Sequence, residues 1–232
     1  MPRPAEPPLA IFDHDGVLVD TLKFHQDSWT KMGRETGLAV TPAFILETFG
    51  MTNAMILRKI LGESLSDADV AAYSDRKEAA YRDLARGRIV LMDGVRDFLD
   101  ELTGSGVRLA IGSSGVRANL ELTVEECGLH GRFASIVAGE DVSRGKPDPQ
   151  VFQLAASRAE VPTSRAVVFE DAPVGIRAAK AAGMLAVGVT SSHSAEALWA
   201  EGADEVVADL RRCDVQALIA RLTTAPPDRR PS

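Results

Sequence analysis

The sequence predicts an α/β fold: a parallel sheet covered by helices on both faces, interrupted once by a helical insertion. Three observations predict it. Short apolar runs of strand length, bounded by Gly, Asp or Ser, recur from Leu9 to Ala208. Helix-like stretches precede all of them but the first, the alternation that builds parallel sheets. After the first run this rhythm stops for about seventy residues, far longer than an ordinary connection.

The first strand is Leu9–Phe12, apolar throughout, as a strand buried on both faces should be. From Leu22 to Val90 the chain reads as entirely helical. Ile56, Leu57, Ile60 and Leu61 form one apolar stripe, and Ser66–Arg86, rich in Ala and charge, reads as an exposed helix. The expected division is core 1–21, a helical cap domain 22–91, and core 92–232, with the cap over the end of the first strand. Beyond the insertion, Val95, Phe98, Leu99 and Leu102 fall on one helical face. Strands are expected at Val107–Ile111, Ser135–Ala138, Ala166–Phe169, Leu185–Val189 and Glu205–Ala208. Val215, Leu218, Ile219 and Leu222 mark a last helix. The ends, Met1–Pro8 and Ala225–Ser232 with Arg229 and Arg230, are Pro-rich and expected to fray.

Composition narrows the function. The 232 residues are 45% hydrophobic and 25% charged, which excludes wholesale disorder. A net charge of −7 gives no field that attracts nucleic acid or anionic membrane, so neither is an expected partner. No stretch of eighteen apolar residues offers a membrane span, and the start lacks the apolar core of a secretion signal. Cys127 and Cys213 cannot form a disulfide framework and read as reduced thiols, so a cytoplasmic location is expected.

In open parallel sheets ligands bind beyond the carboxyl ends of the strands. There the sequence is unusually polar. After the first strand, Asp13 and Asp15 stand at i and i+2, on one side of an extended backbone. Two such carboxylates repel; a hard cation such as Mg²⁺ or a shared proton offsets that, although an Asp-rich turn is the plainer reading. After the second strand, Ser113 and Ser114 either cap a helix or hold phosphoryl oxygens. After the third, Lys146 precedes Pro147, which can open a helix; it is either a solvated lysine or a phosphoryl partner. The segment is no P-loop, because Pro147 stands where Ser or Thr is required. After the fourth, Glu170 and Asp171 suit a helix N-terminus or a metal. Adjacent strand residues point apart, so one carboxylate would ligate and the other support. A carboxylate pair, a serine, a lysine and a second carboxylate pair, in order at one sheet edge, have no common structural explanation.

These four motifs resemble those of the haloacid dehalogenase superfamily of aspartyl-phosphate phosphotransferases, over about Leu9 to Leu210. Asp13-x-Asp15-Gly16-Val17-Leu18-Val19-Asp20-Thr21 carries most of the likeness, and Ala172–Gly183 adds to it. The resemblance implies a Rossmann-like core with an inserted four-helix cap. The subgroup it is most similar to holds beta-phosphoglucomutase and the small sugar-phosphate and phosphoglycolate phosphatases. It implies Asp13 as nucleophile, Asp15 as acid and base, and Ser113 and Lys146 as phosphoryl holders. Mg²⁺ would sit on the Asp13 side chain, the Asp15 backbone carbonyl and Asp171, with Glu170 supporting.

Ser114, Thr21, His25, Met51, Thr52, Asn53 and Lys77 match positions near the substrate. Taken alone, His25 reads as an ordinary helix residue and Lys77 as a solvated one. The mutases carry an Arg at the Asn53 position, where a neutral amide cannot grip a second phosphate in a bidentate pair. Arg58 lies in a different helical phase. The expectation is a phosphatase acting on a small phosphorylated metabolite, with a phosphosugar mutase as the alternative and a non-catalytic phospho-acceptor module a third. A monomer is expected, a dimer being possible.

Overall fold

The computed structural model describes residues 7–224. Of the ends expected to fray, Met1–Pro8 and 225–232, only Pro7 and Pro8 fall among the described residues, and Pro8 is not frayed: it is buried and its carbonyl accepts the Arg108 N–H at 2.9 Å. Six strands form one parallel sheet: β1 (Leu9–Phe12), β2 (Arg108–Gly112), β3 (Ser135–Val137), β4 (Ala166–Glu170), β5 (Leu185–Val189) and β6 (Glu205–Val207), in the order β3-β2-β1-β4-β5-β6. The expected strands are all present, with ends displaced by one residue at most.

Period-two alternation divides β1 between two cores. Ala10 and Phe12 face one cluster, where Phe12 stacks on Phe169 at 4.9 Å and Phe98 meets both rings edge-on. Leu9 and Ile11 face the other, built on Phe152, Ala155 and Ile176. The helices covering these faces include α5 (Val95–Gly104), α6 (Arg117–Glu126), α7 (Gln150–Arg158), α8 (Pro173–Ala181), α9 (Ala195–Ala200) and α10 (Val215–Thr224). The strand order reverses between β1 and β4, and the crevice this opens lies at their carboxyl ends. Phe12 pairs with Ile111 on one side and Phe169 on the other, so the residues just beyond all three emerge together.

Between β1 and α5 stand α1 (Leu22–Thr36), α2 (Pro42–Glu47), α3 (Asn53–Leu61) and α4 (Asp67–Ala85). Thr41, Thr52 and Ser66 start the last three by accepting a backbone N–H with their side chains, each worth about 1 kcal/mol. Trp29, Met32, Ile45, Ile56 and Leu57 give these helices an apolar cluster of their own. The chain leaves and re-enters the sheet side by side: Val19 bridges Leu91 antiparallel, and Met92 N–H donates to the Leu18 carbonyl at 3.0 Å. One expectation fails here. Helix α4 is not simply exposed, because Lys77, Glu78, Ala80, Tyr81 and Ala85 are buried along one side.

Candidate active site

The loop after β1 is fixed by its own backbone. Asp13 N–H donates to the Phe169 carbonyl at 2.9 Å, and Gly16 N–H closes a turn onto Val19 at 2.8 Å. Gly16 has φ +81°, and a Cβ there would lie 1.9 Å from Asp171 Oδ2. Only glycine lets this loop rest against that carboxylate. Asp13 and Asp15 both reach the cleft below the helical insertion, yet they take different partners.

Asp13 joins a buried charge cluster. Lys146 Nζ lies 2.6 Å from Asp13 Oδ1 and 2.8 Å from Glu170 Oε2, with the lysine fully buried. Burial works against the Lys146 ammonium, but the two carboxylates outweigh it and raise its pKa. Burial, and then the Glu170 charge, push the Asp13 carboxyl up to about 7 against the pull of Lys146. Burial, Glu170 and Asp13 likewise raise Asp171 well above the usual carboxylate range. One carboxylate oxygen from each of Asp13, Glu170 and Asp171 lies within 4.8 Å of the other two. Asp171 Oδ1 is buried without a hydrogen-bond partner. Three buried acids served by one ammonium, with an orphaned oxygen among them, fit a hard divalent cation. The Asp15 side chain is not in this group.

Glu170 and Asp171 do not diverge as adjacent strand residues should, because β4 ends at Glu170 and the chain turns. Glu170 Oε1 accepts the N–H of Asp171 and of Ala172, leading into α8, while Oε2 holds Lys146.

Asp15 is gripped by donors instead. The Thr21 hydroxyl donates to Oδ1, His25 Nε2 lies 3.2 Å from the same oxygen, and His14 Nδ1 lies 3.0 Å from it. Burial pushes the Asp15 carboxyl up, but the His14 and His25 charges and hydrogen bonds outweigh it and hold it well below the usual range. His25 Nδ1 meets Lys77 Nζ at 2.7 Å, and Lys77 also pairs with Glu78 Oε1 at 2.8 Å. Glu78 is the seam's hub: Oε1 accepts from Asn53 and Oε2 from Asn119 on α6, both at 2.7 Å. Arg82 donates to Asn119 Oδ1 at 3.3 Å.

The cleft brings together Asp13, Asp15, Ser113, Ser114, His25, Met51, Asn53 and Lys77 from the expected residues. Thr21 and Thr52 do not line it. Thr21 is bonded to Asp15; Thr52 caps α3 and its methyl packs where a Gly145 Cβ would sit. Lys146 touches the cleft only through Asp13. Pro147 opens no helix, since Pro149 precedes α7 and Asp148 N–H turns back to the Gly145 carbonyl. Neither Ser113 nor Ser114 caps α6: Val116 holds that position, and Glu140 accepts the Arg117 N–H. Ser113 Oγ accepts the Gly115 N–H at 3.0 Å. Lys77 is 1% exposed, the opposite of a solvated lysine. Arg58 turns away to Asp67 at 2.6 Å. The sequence reading missed His14, Glu78 and Asn119; His14 sits inside the first motif and Glu78 beside Lys77, so position alone could have marked them.

Residues 10–189 match the haloacid dehalogenase-like hydrolase family. Validoxylamine A 7'-phosphate phosphatase of Streptomyces hygroscopicus subsp. limoneus is 36% identical over 208 residues, 87% of this chain and 93% of that protein. The chloroplastic 5-amino-6-(5-phospho-D-ribitylamino)uracil phosphatase of Arabidopsis thaliana is 35% identical, over 90% of this chain and 56% of that longer protein. Among solved structures, CbbY from Rhodobacter sphaeroides in complex with phosphate superposes with a TM-score of 0.78 at 26% identity, covering 89% of this chain and 96% of that one.

Proposed function

The chain belongs to the haloacid dehalogenase-like hydrolases, a phosphoric monoester hydrolase by its relatives, and we propose that it hydrolyses a small phosphorylated metabolite through an aspartyl phosphate on Asp13. One observation carries the mechanism. Asp13 and Asp15 face the same cleft, but the first is set against an ammonium and the second against hydrogen-bond donors. Environments that differ this way suit two carboxylates to two tasks.

The Asp13 carboxylate attacks phosphorus while the P–O bond to the substrate breaks. Once the substrate's anionic phosphate stands beside it, Asp15 carries a proton; it passes that proton to the departing alkoxide and returns to the carboxylate form that Thr21, His25 and the nearby His14 favour. It then takes a proton from water, which attacks the aspartyl phosphate and frees phosphate. The Ser113 hydroxyl, which lines the cleft, serves the equatorial oxygens, where charge accumulates, and the Lys146 ammonium behind Asp13 lends its positive charge to them. Mg²⁺, held by Asp13 and Asp171 with Glu170 supporting and the Asp15 carbonyl as a further ligand, would supply the remaining positive charge.

The cleft also supports a monophosphate with an uncharged remainder. Lys77 is the only Lys or Arg among the described residues lining it, and Glu78 already neutralises it. Asn53 is turned onto Glu78 and Arg58 onto Asp67, so neither offers a cation to a second phosphate. The free volume, about 40 Å³, suffices for a few waters and not for a sugar phosphate. We therefore read 22–91 as a cap that swings open about 20–22 and 91–94 to admit substrate.

A panel of phosphate monoesters assayed with Mg²⁺ tests the reading, with Asp13→Asn as control. Phosphate release from at least one ester, abolished in the variant, is expected. Undiminished release by the variant overturns the mechanism, and isomerisation of beta-glucose 1-phosphate without phosphate loss overturns hydrolysis.

A further inference from the structure

We propose that His14 is a positioning residue for Asp15, the core-side anchor that holds the acid in place and stabilises the carboxylate left after it gives up its proton. The inference rests on reading Asp15 as the acid. His14 stands between the two aspartates of the first motif but is not among the residues lining the cleft, and it is 1% exposed. Its side chain points into the core, where Nε2 meets the Thr123 hydroxyl on α6 at 2.7 Å. Nδ1 makes no hydrogen bond, but it lies 3.0 Å from Asp15 Oδ1, so its hold on the carboxylate is the attraction of a close ring nitrogen and not a formed hydrogen bond. His14 is the only described hydrogen-bond partner of the Thr123 hydroxyl. When that hydroxyl donates to Nε2, the ring proton is on Nδ1, facing Asp15.

The other two groups on Asp15 belong to the moving side. His25 is on α1, within the cap, and Thr21 is in the linker that leads to it. Both bonds depend on the cap being seated. His14 and Thr123 belong to the core, so the His14 contact with Asp15 persists when the cap swings. Thus Asp15 keeps its orientation through substrate binding, and the cap adds its donors on closure. In the transfer itself, the Asp15 O–H proton goes to the ester oxygen as the P–O bond breaks, and the O–H electron pair stays on Asp15. His14 keeps its own proton throughout and contributes by lying next to the new negative charge.

The test uses leaving groups. Phenolate departs slowly without a proton, p-nitrophenolate readily. In full-length protein with Mg²⁺, His14→Leu should lower kcat on phenyl phosphate by about 10- to 100-fold but on p-nitrophenyl phosphate by less than about threefold, with the Michaelis constant little changed. His14→Asn, whose amide N–H can replace Nδ1–H, should recover most of the loss, and Thr123→Val should show a smaller loss of the same selectivity. Equal losses on both esters, or an Asn variant as impaired as the Leu variant, would overturn the proposal. Should His14→Leu fail to fold, the Thr123→Val and His14→Asn pair decides: a selective loss in the first, recovered function in the second. Asp15→Asn separates the two readings. If it is selective and the His14 and Thr123 variants are not, the anchor alone is wrong; if it is not selective either, the reading of Asp15 falls and the anchor with it.

Discussion

At Lys146 a single ammonium stands between two buried carboxylates, Asp13 and Glu170, with no solvent to share the charge. Such a group is worth little as an isolated ion pair, because desolvation offsets most of the attraction. Removing it is another matter. Lys146→Ala leaves both acids buried without their cation, and unfolding in denaturant without added metal should show a loss of about 3–5 kcal/mol. The same change should abolish turnover. A variant as stable as the wild type would mean that water or a neighbour takes over the charge. Glycine matters here as much as charge: at Gly175, as at Gly16, a Cβ would collide with the site, 2.0 Å from Glu170 Oε2. The first and fourth motifs are thus held together partly by the absence of side chains.

At the scale of elements, the seam between α4 and α6 is polar, with Glu78 and Arg82 meeting Asn119. Burial raises the Glu78 carboxyl, but Lys77, His25 and the Asn53 amide outweigh it and bring it down to about 2. A carboxyl held below its unfolded value contributes stability that is present above about pH 4.5 and lost as pH falls towards 2. Glu78→Gln should therefore be less stable than the wild type at neutral pH, by roughly 3 kcal/mol from the size of the shift. Thermal unfolding from pH 7 to 2 should show that gap closing between about pH 4.5 and 2; a gap independent of pH would assign the loss to packing. This seam was also the least legible part of the sequence. Buried parallel strands read as unbroken apolar runs, so the sheet was found to within a residue at each end. Helix α4 carries Ala and charge on every side, so its pattern does not say which side docks. Lys77 is buried because Glu78 and His25 neutralise and cover it, and those partners come from the tertiary arrangement. Pro147 misled for a related reason: the chain turns at Asp148, and Pro149 takes the position before the helix instead.

Across the whole molecule, the fold sets an acidic cluster under the helical insertion, which we have proposed to be a cap that opens. Gly50 presses against Ala172 and Thr52 against Gly145, so the 49–53 loop sits directly on the core. Trp29, 1% exposed, lines the same cleft, while Trp199 is half exposed on α9. Opening must hydrate the first tryptophan and leave the second alone. Adding Mg²⁺ with inorganic phosphate favours the closed state in proportion to its selective affinity. Tryptophan emission should then move to shorter wavelength, in Trp199→Phe as in the wild type but not in Trp29→Phe. An unchanged spectrum in the Trp199→Phe variant would mean that the cap does not open. No helix among the described residues is long and apolar enough to cross a membrane.

The bridge between Val19 and Leu91 has a consequence for what this scaffold can become. Departure and return of the chain are adjacent, so joining them directly would close only a short loop and cost little entropy. Asp13 and Glu170 are held by Lys146 from the core and not by the insertion, so the helices are a cassette: a different insert, plugged in at the same bridge, would meet the same buried acids with a new set of walls.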